Sequence, residues 1–199
     1  MVYNYGRFHN NKVNQIIHLI FVPIIIYTWY VMMCDWWPEV KLGFEVPIFG
    51  DSIGAGFWIN FIVSVGYIFC DLKIGLSVAA WYWPAMILGN WTWQTYVNEP
   101  YPFGLDQFWF MNWLNIFSWA AQFLGHALFE KRAPALFSNL GFATLAPFFI
   151  TFEVVNELFG VHESENMVKL REFIEQDIQE FHEGGKGDEF HGVGKNKVC

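Results

Sequence analysis

Apolar and polar positions in this chain do not alternate at the three- or four-residue spacing of a helix half-exposed to water. Five stretches with essentially no ionised side chain follow one another instead: 16–33, 53–70, 76–93, 107–129 and 136–152. A helix of roughly 17 to 25 apolar residues crosses a bilayer, and all five stretches reach that length. Trp29, Tyr30, Trp36, Trp37, Trp81, Trp91, Trp93, Trp109 and Trp113 lie toward the ends of these stretches, where aromatic rings mark membrane interfaces. The pattern predicts an all-α fold, a polytopic membrane helical bundle of four to six segments. The first stretch carries Tyr and Trp at its far end and no small-residue cleavage site, so it reads as a membrane segment and not a cleavable signal peptide.

Beyond residue 160 the pattern changes. Met167, Leu170, Ile174, Ile178 and Phe181 recur at three- and four-residue intervals in acidic sequence, which predicts an amphipathic helix. The expected division is a membrane-embedded catalytic domain, 1–160, and a polar cytosolic tail, 161–199, disordered after Gly184. Arg7 and Lys12 place the N-terminus in the cytosol by the positive-inside rule, and Glu130-Lys131-Arg132 returns there. Gly141, Pro147, Glu153 and Glu157 in and after the fifth stretch suggest a broken or re-entrant element that does not cross. A cytosolic tail also suits Lys195 and Lys197, third and fifth from the end, which resemble the dilysine signal read by coat proteins for retrieval to the endoplasmic reticulum. The sequon Asn90-Trp91-Thr92 lies inside an apolar stretch, where no glycan is expected.

Composition narrows the function. The 199 residues are 54% hydrophobic, 21% aromatic and only 15% charged, with a formal net charge of −8. An acidic chain is no partner for nucleic acid, whose phosphates demand Lys and Arg. Three scattered cysteines, Cys34, Cys70 and Cys199, provide no disulfide framework. Membrane lipids are the expected surroundings.

The chemistry then falls to the few polar groups inside the apolar runs. His162, His182 and His191 lie in the polar tail. His9, His18 and His126 fall at the cytosolic ends of their segments, and an ionisable residue in a membrane segment points to function. Gln122, His126 and Glu130 are spaced by four and share a helix face, as do Asn14 and His18. His9 and His18, nine apart, lie on opposite sides of a straight helix, so both reach one centre only if the chain bends; Asn10-Asn11 is a helix-start signal there. Two or three histidines with a carboxylate describe a non-haem Fe(II) site, with zinc as the direct competitor.

Tyr5-Gly6-Arg7-Phe8-His9, followed by Asn14, His18 and Pro23, resembles the N-terminal pattern of the endoplasmic-reticulum 2-hydroxy fatty acid dioxygenases, with Phe8 in place of the usual Tyr. The run from Gln122 to Leu136, through His126, Glu130 and Pro134, then Asn139-Leu140, Ala146-Pro147-Phe148-Phe149 and Glu153, is closer still. The two blocks cover about a third of the chain; 35–106 matches only as apolar spans. The resemblance implies an Fe(2+)-dependent dioxygenase of fatty acid α-oxidation that takes a 2-hydroxy fatty acid and O2, as in phytosphingosine breakdown, and shortens the acid by one carbon. It implies His9, His18 and His126 as iron ligands, Glu130 as a fourth ligand or orienting group, and Asn14 and Gln122 as supporting residues. The implied place is the endoplasmic reticulum membrane, with the active site on the cytosolic side. A metal-dependent membrane lipid hydrolase or hydroxylase, or a non-enzymatic lipid-binding or transport protein, would be built from the same features.

Overall fold

The computed structural model describes residues 11–37, 40–46, 50–130 and 141–159, together with 172, 176 and 179. Among the described residues five long helices carry the fold: α1 (Lys12–Trp36), α2 (Ala55–Cys70), α3 (Leu72–Tyr96), α4 (Gln107–Gly125) and α5 (Gly141–Phe159). They fall on the five apolar stretches. Three of them begin on a side-chain oxygen that accepts an orphan backbone N–H. Asn11 caps α1 through Val13 N, Asp71 caps α3 through Ile74 N, and Asp106 caps α4 through Trp109 N, each at 2.9 Å.

Two departures from the apolar pattern stand out. The connection between α1 and α2 contains an antiparallel hairpin, β1 (Val40–Val46) and β2 (Gly50–Ile53), which pairs Val40 with Ile53 and Lys41 with Ser52. Short alternating runs broken by Gly and Pro carry too little periodicity to be separated from loop. No break is seen among the described residues of the fifth stretch: α5 runs from Gly141 continuously through Pro147, which is buried within it. Among the described residues, α1 and α3 are long and apolar enough to cross a membrane. In the tail, Glu172, Gln176 and Gln179 are helical and exposed. The apolar positions from Met167 to Phe181 lie outside the described residues, as do Lys195 and Lys197.

Helix α1 is central, packing most extensively on α4 and also on α3. One core joins α1, α2 and α3 through Tyr30, Tyr67, Ile74, Val78, Tyr82 and Met86. Tyr82 stands edge-on to both Tyr30 and Tyr67, each ring 6.3 Å away, the arrangement that the ring quadrupole favours. A smaller core, Val31, Met32 and Met111, joins α1 to α4. Helix α5 is fastened to α3 by Trp81 Nε1 donating to Thr151 Oγ1 at 3.0 Å, and to α1 by Gln15 Nε2 donating to Glu153 Oε1 at 3.3 Å.

Helix α4 is turned inside out relative to a helix in water. Its buried positions are Gln107, Met111, Asn115, Ser118 and Gln122, while Trp109, Trp113, Ile116, Phe117 and Leu124 are exposed. Opposite it, α1 buries Asn14, His18 and Thr28 and exposes Val13, Ile16, Leu19 and Ile20. One buried amide finds partners across the seam: Asn115 Nδ2 donates to Ile25 O at 3.3 Å and to Thr28 Oγ1 at 2.7 Å. At the far end Gln107 Nε2 donates to Thr92 O and to Tyr101 OH, and Tyr27 OH donates to Thr92 Oγ1.

Close helix approach rests on glycine. A Cβ on Gly75 of α3 would stand 2.5 Å from the Tyr67 carbonyl carbon and 2.6 Å from Ile68 Cα, both backbone atoms at the end of α2. Gly66 has open space at the same point of its geometry. Gly75→Ala is therefore expected to destabilise the fold by about 1–3 kcal/mol, the usual cost of overpacking. Gly66→Ala is expected to be neutral or to stabilise by up to about 1 kcal/mol through helix propensity. Thermal denaturation of the two purified variants in one detergent reads the contrast.

Candidate functional site

The site is built where the first turns of α1 meet the last turn of α4. After Gly125 the α-helix widens into a single π-helical turn, His126–Glu130. Such turns insert a residue into an α-helix and often mark functional sites. The His126 N–H straddles the Gln122 and Phe123 carbonyls at this transition. Gln122, His126 and Glu130 are all buried, so they share the inward face that the spacing of four indicates, although the last stretch is π rather than α.

Across the seam, Asn14 is fully buried (0% exposed) and contacts His126, Glu130 and His18. Its Nδ2 donates to Glu130 Oε1 at 3.2 Å and lies 3.5 Å from His126 Nδ1. Its backbone carbonyl lies 3.1 Å from His18 Nδ1. A carbonyl only accepts, so His18 carries its proton on Nδ1 and its lone pair on Nε2, the form in which an imidazole binds a metal. Asn11 N donates to the same Glu130 oxygen at 2.9 Å. The carboxylate thus ties the N-terminus of α1 to the end of α4. The His18 and His126 rings meet edge to face with centroids 5.0 Å apart.

Gly125 permits this approach. A Cβ there would stand 2.5 Å from Asn14 Oδ1 and 3.2 Å from Ile17 Cδ1. Two polar atoms near the site are buried without a hydrogen-bond partner: Asn14 Oδ1, which faces Gly125, and Gln122 Nε2.

The residues singled out in the sequence divide as follows. His18, His126, Glu130 and Asn14 come together, and Gln122 lies one turn inward from His126. His9 lies outside the described residues, as do Lys131, Arg132 and Pro134. Among the described residues no three His, Cys, Asp or Glu side chains are placed to hold one ion. Glu130 is engaged through Oε1 by Asn11 and Asn14, which suits an orienting carboxylate. The two buried imidazoles supply donors of the chemistry that a divalent first-row metal takes. The sequence pattern did not single out Gly125; its signal, a small residue directly before a polar position at a helix seam, is common to many helix contacts.

The family described as 2-hydroxy-palmitic acid dioxygenase Mpo1-like matches residues 1–158, a range that holds both blocks of the site. The chain belongs to this family. One Mpo1-like relative, the 2-hydroxy-palmitic acid dioxygenase MPO1 of Saccharomyces cerevisiae, is 30% identical over 178 residues, covering 88% of this chain and 86% of its own. No solved structure matches the chain.

The contacts of Asn14 make it the residue on which the others turn. Asn14→Ala removes the donor from a buried carboxylate and is expected to destabilise the protein by about 1–3 kcal/mol. Asn112→Ala removes an amide that bonds only within its own helix, to Phe108 O, and is expected to be nearly neutral. The denaturation midpoints of the two variants make the comparison.

Proposed function

We propose that this chain is an Fe(II)-dependent dioxygenase that converts a 2-hydroxy fatty acid and O2 into the fatty acid one carbon shorter. The observation that carries the reading is the meeting of His18 and His126 around Asn14 and Glu130, in a chain that matches the Mpo1-like family over both blocks. Printed in the yeast relative's name is the substrate class, a 2-hydroxy acid with a palmitic chain.

In this reading His18 and His126 would hold the metal, with His9, two residues before the Asn11 cap of α1 in sequence, as the third ligand. The metal, when bound, supplies the means of activating O2 toward the substrate. The protein's own groups do the rest. Asn14 fixes the His18 ring through its carbonyl and holds Glu130 and His126 in register through its amide. Glu130 keeps the N-terminus of α1 against α4, closing the polar end of the seam. The reaction R–CH(OH)–COOH + O2 → R–COOH + CO2 + H2O balances without a further reductant. It calls for neither 2-oxoglutarate nor a nicotinamide cofactor.

A bilayer suits the substrate and the fold alike. The exterior of α1 and α4 is apolar where the interior is polar, so a fatty chain in the membrane reaches the site without crossing water. We assign the protein to the endoplasmic reticulum membrane as a multi-pass protein, with the site on the cytosolic side. Lys195 and Lys197 would serve as the retrieval signal for coat proteins.

Purified protein loaded anaerobically with Fe(II), then given O2 and 2-hydroxyhexadecanoic acid, is expected to yield pentadecanoic acid and CO2. His18→Ala and His126→Ala are expected to lose both bound iron and turnover. Asn14→Ala is expected to lose about 10- to 100-fold in iron affinity, as supporting residues of metal sites do. Absence of the shortened acid, or full activity in His126→Ala, overturns the reading.

A further inference from the structure

We infer that Gln122 reads the 2-hydroxyl group, its Nε2 donating to the hydroxyl oxygen, and that this one amide selects hydroxy acids over plain fatty acids. The inference rests on the substrate class proposed above and specifies how the same site recognises it.

The first support is an unanswered donor. Gln122 is 5% exposed, and its Nε2 is buried without a hydrogen-bond partner. A buried amide donor left unpaired is expensive, so a residue kept in that state marks a place where a ligand completes the bond. Two other donors at the site are engaged within it: Asn14 Nδ2 with Glu130, and His18 Nδ1 with Asn14 O.

The second support is depth. Helices α1 and α4 run antiparallel, with Asn14 facing His126 and Ile25 facing Asn115. One turn inward from the first of these pairs places Gln122 level with His18. Relative to His126, Glu130 lies one turn toward the polar end of the seam, and Gln122, four residues or about 6 Å away, lies toward its middle. A fatty acid entering with its charge at the polar end and its chain toward the middle presents the carboxylate first. Its second carbon, and the oxygen on it, follow on the Gln122 side. That oxygen accepts a hydrogen bond, which the unpaired Nε2 supplies. A plain fatty acid offers a CH2 group at the same place and leaves the donor unpaired, so the site disfavours it.

The test compares two ligands with the same charge and chain. Binding of 2-hydroxyhexadecanoate and of hexadecanoate to the full chain in lipid nanodiscs is followed by tryptophan fluorescence in the absence of O2. The unaltered protein is expected to prefer the hydroxy acid. Gln122→Met keeps the side-chain length and removes the donor. It is expected to weaken the hydroxy acid about 10-fold, the size of one neutral hydrogen bond, and to leave hexadecanoate unchanged. Gln122→Glu is expected to retain part of the preference, because a carboxylate accepts the hydroxyl proton.

No preference in the unaltered protein, an unchanged ratio in Gln122→Met, or an equal loss of both acids in either variant overturns the inference. An equal loss would mean that the residue supports the fold or touches the carboxylate. The outcome separates from that of the dioxygenase reading. A collapsed ratio in Gln122→Met without any pentadecanoic acid from the unaltered protein upholds Gln122 and removes the oxidation. Turnover with an unchanged ratio does the reverse.

Discussion

The contact between Asn14 and the end of α4 is the constraint on which the site depends. Asn14 can bridge Glu130 and His126 only because Gly125 has no side chain to hold the two helices apart. The same residue positions His18 through its own carbonyl. His18 and the His126–Glu130 pair, more than a hundred residues apart in sequence, are therefore set by one side chain and one missing side chain. The precision this requires is of the kind that catalytic constellations demand, where misplacement by about an ångström is damaging.

That bridge is the terminal part of a longer polar seam. Asn115 and Thr28 hold the middle of the α1–α4 contact, and Gln107, Thr92, Tyr101 and Tyr27 hold its far end. Between these points lie Met111, Met32 and Val31, which fill space without directing it. Hydrogen bonds at both ends and the centre fix the register between the helices, and methionine packing adapts to it. A slip of one residue along either helix would separate Asn115 from Thr28 and Asn14 from Glu130 together.

Much of the helical frame was legible in the sequence, because uncharged runs of about twenty residues allow few other readings. Asn11 as a start signal and Gln122, His126 and Glu130 as one face were legible for the same reason: caps and helix periodicity are local. The hairpin between α1 and α2 was not, since its pairing depends on the register of two short strands. Neither was the continuity of α5, where Pro147 is tolerated because its turn is buried against neighbouring helices. At the site, residue spacing named the participants but left their roles open. The division between imidazoles that face one another and a carboxylate that organises them comes from contacts across the seam, which no local pattern contains.

The inside-out character of α4 carries a consequence for how the protein is made. In a bilayer, a helix with Gln107, Asn115, Ser118 and Gln122 along one side is poorly suited to enter alone, because each unpaired amide meets hydrocarbon. Helix α1 also buries Asn14, His18 and Thr28, yet its apolar window is the stronger of the two membrane-length helices among the described residues, at a mean hydropathy of 2.0. It also precedes α4 in the chain and brings the Ile25 carbonyl and the Thr28 hydroxyl that α4 uses. Biogenesis then has a direction. In chain order the earlier helix presents partners for the later one, and Asn14 can meet His126 and Glu130 only once the end of α4 has been made.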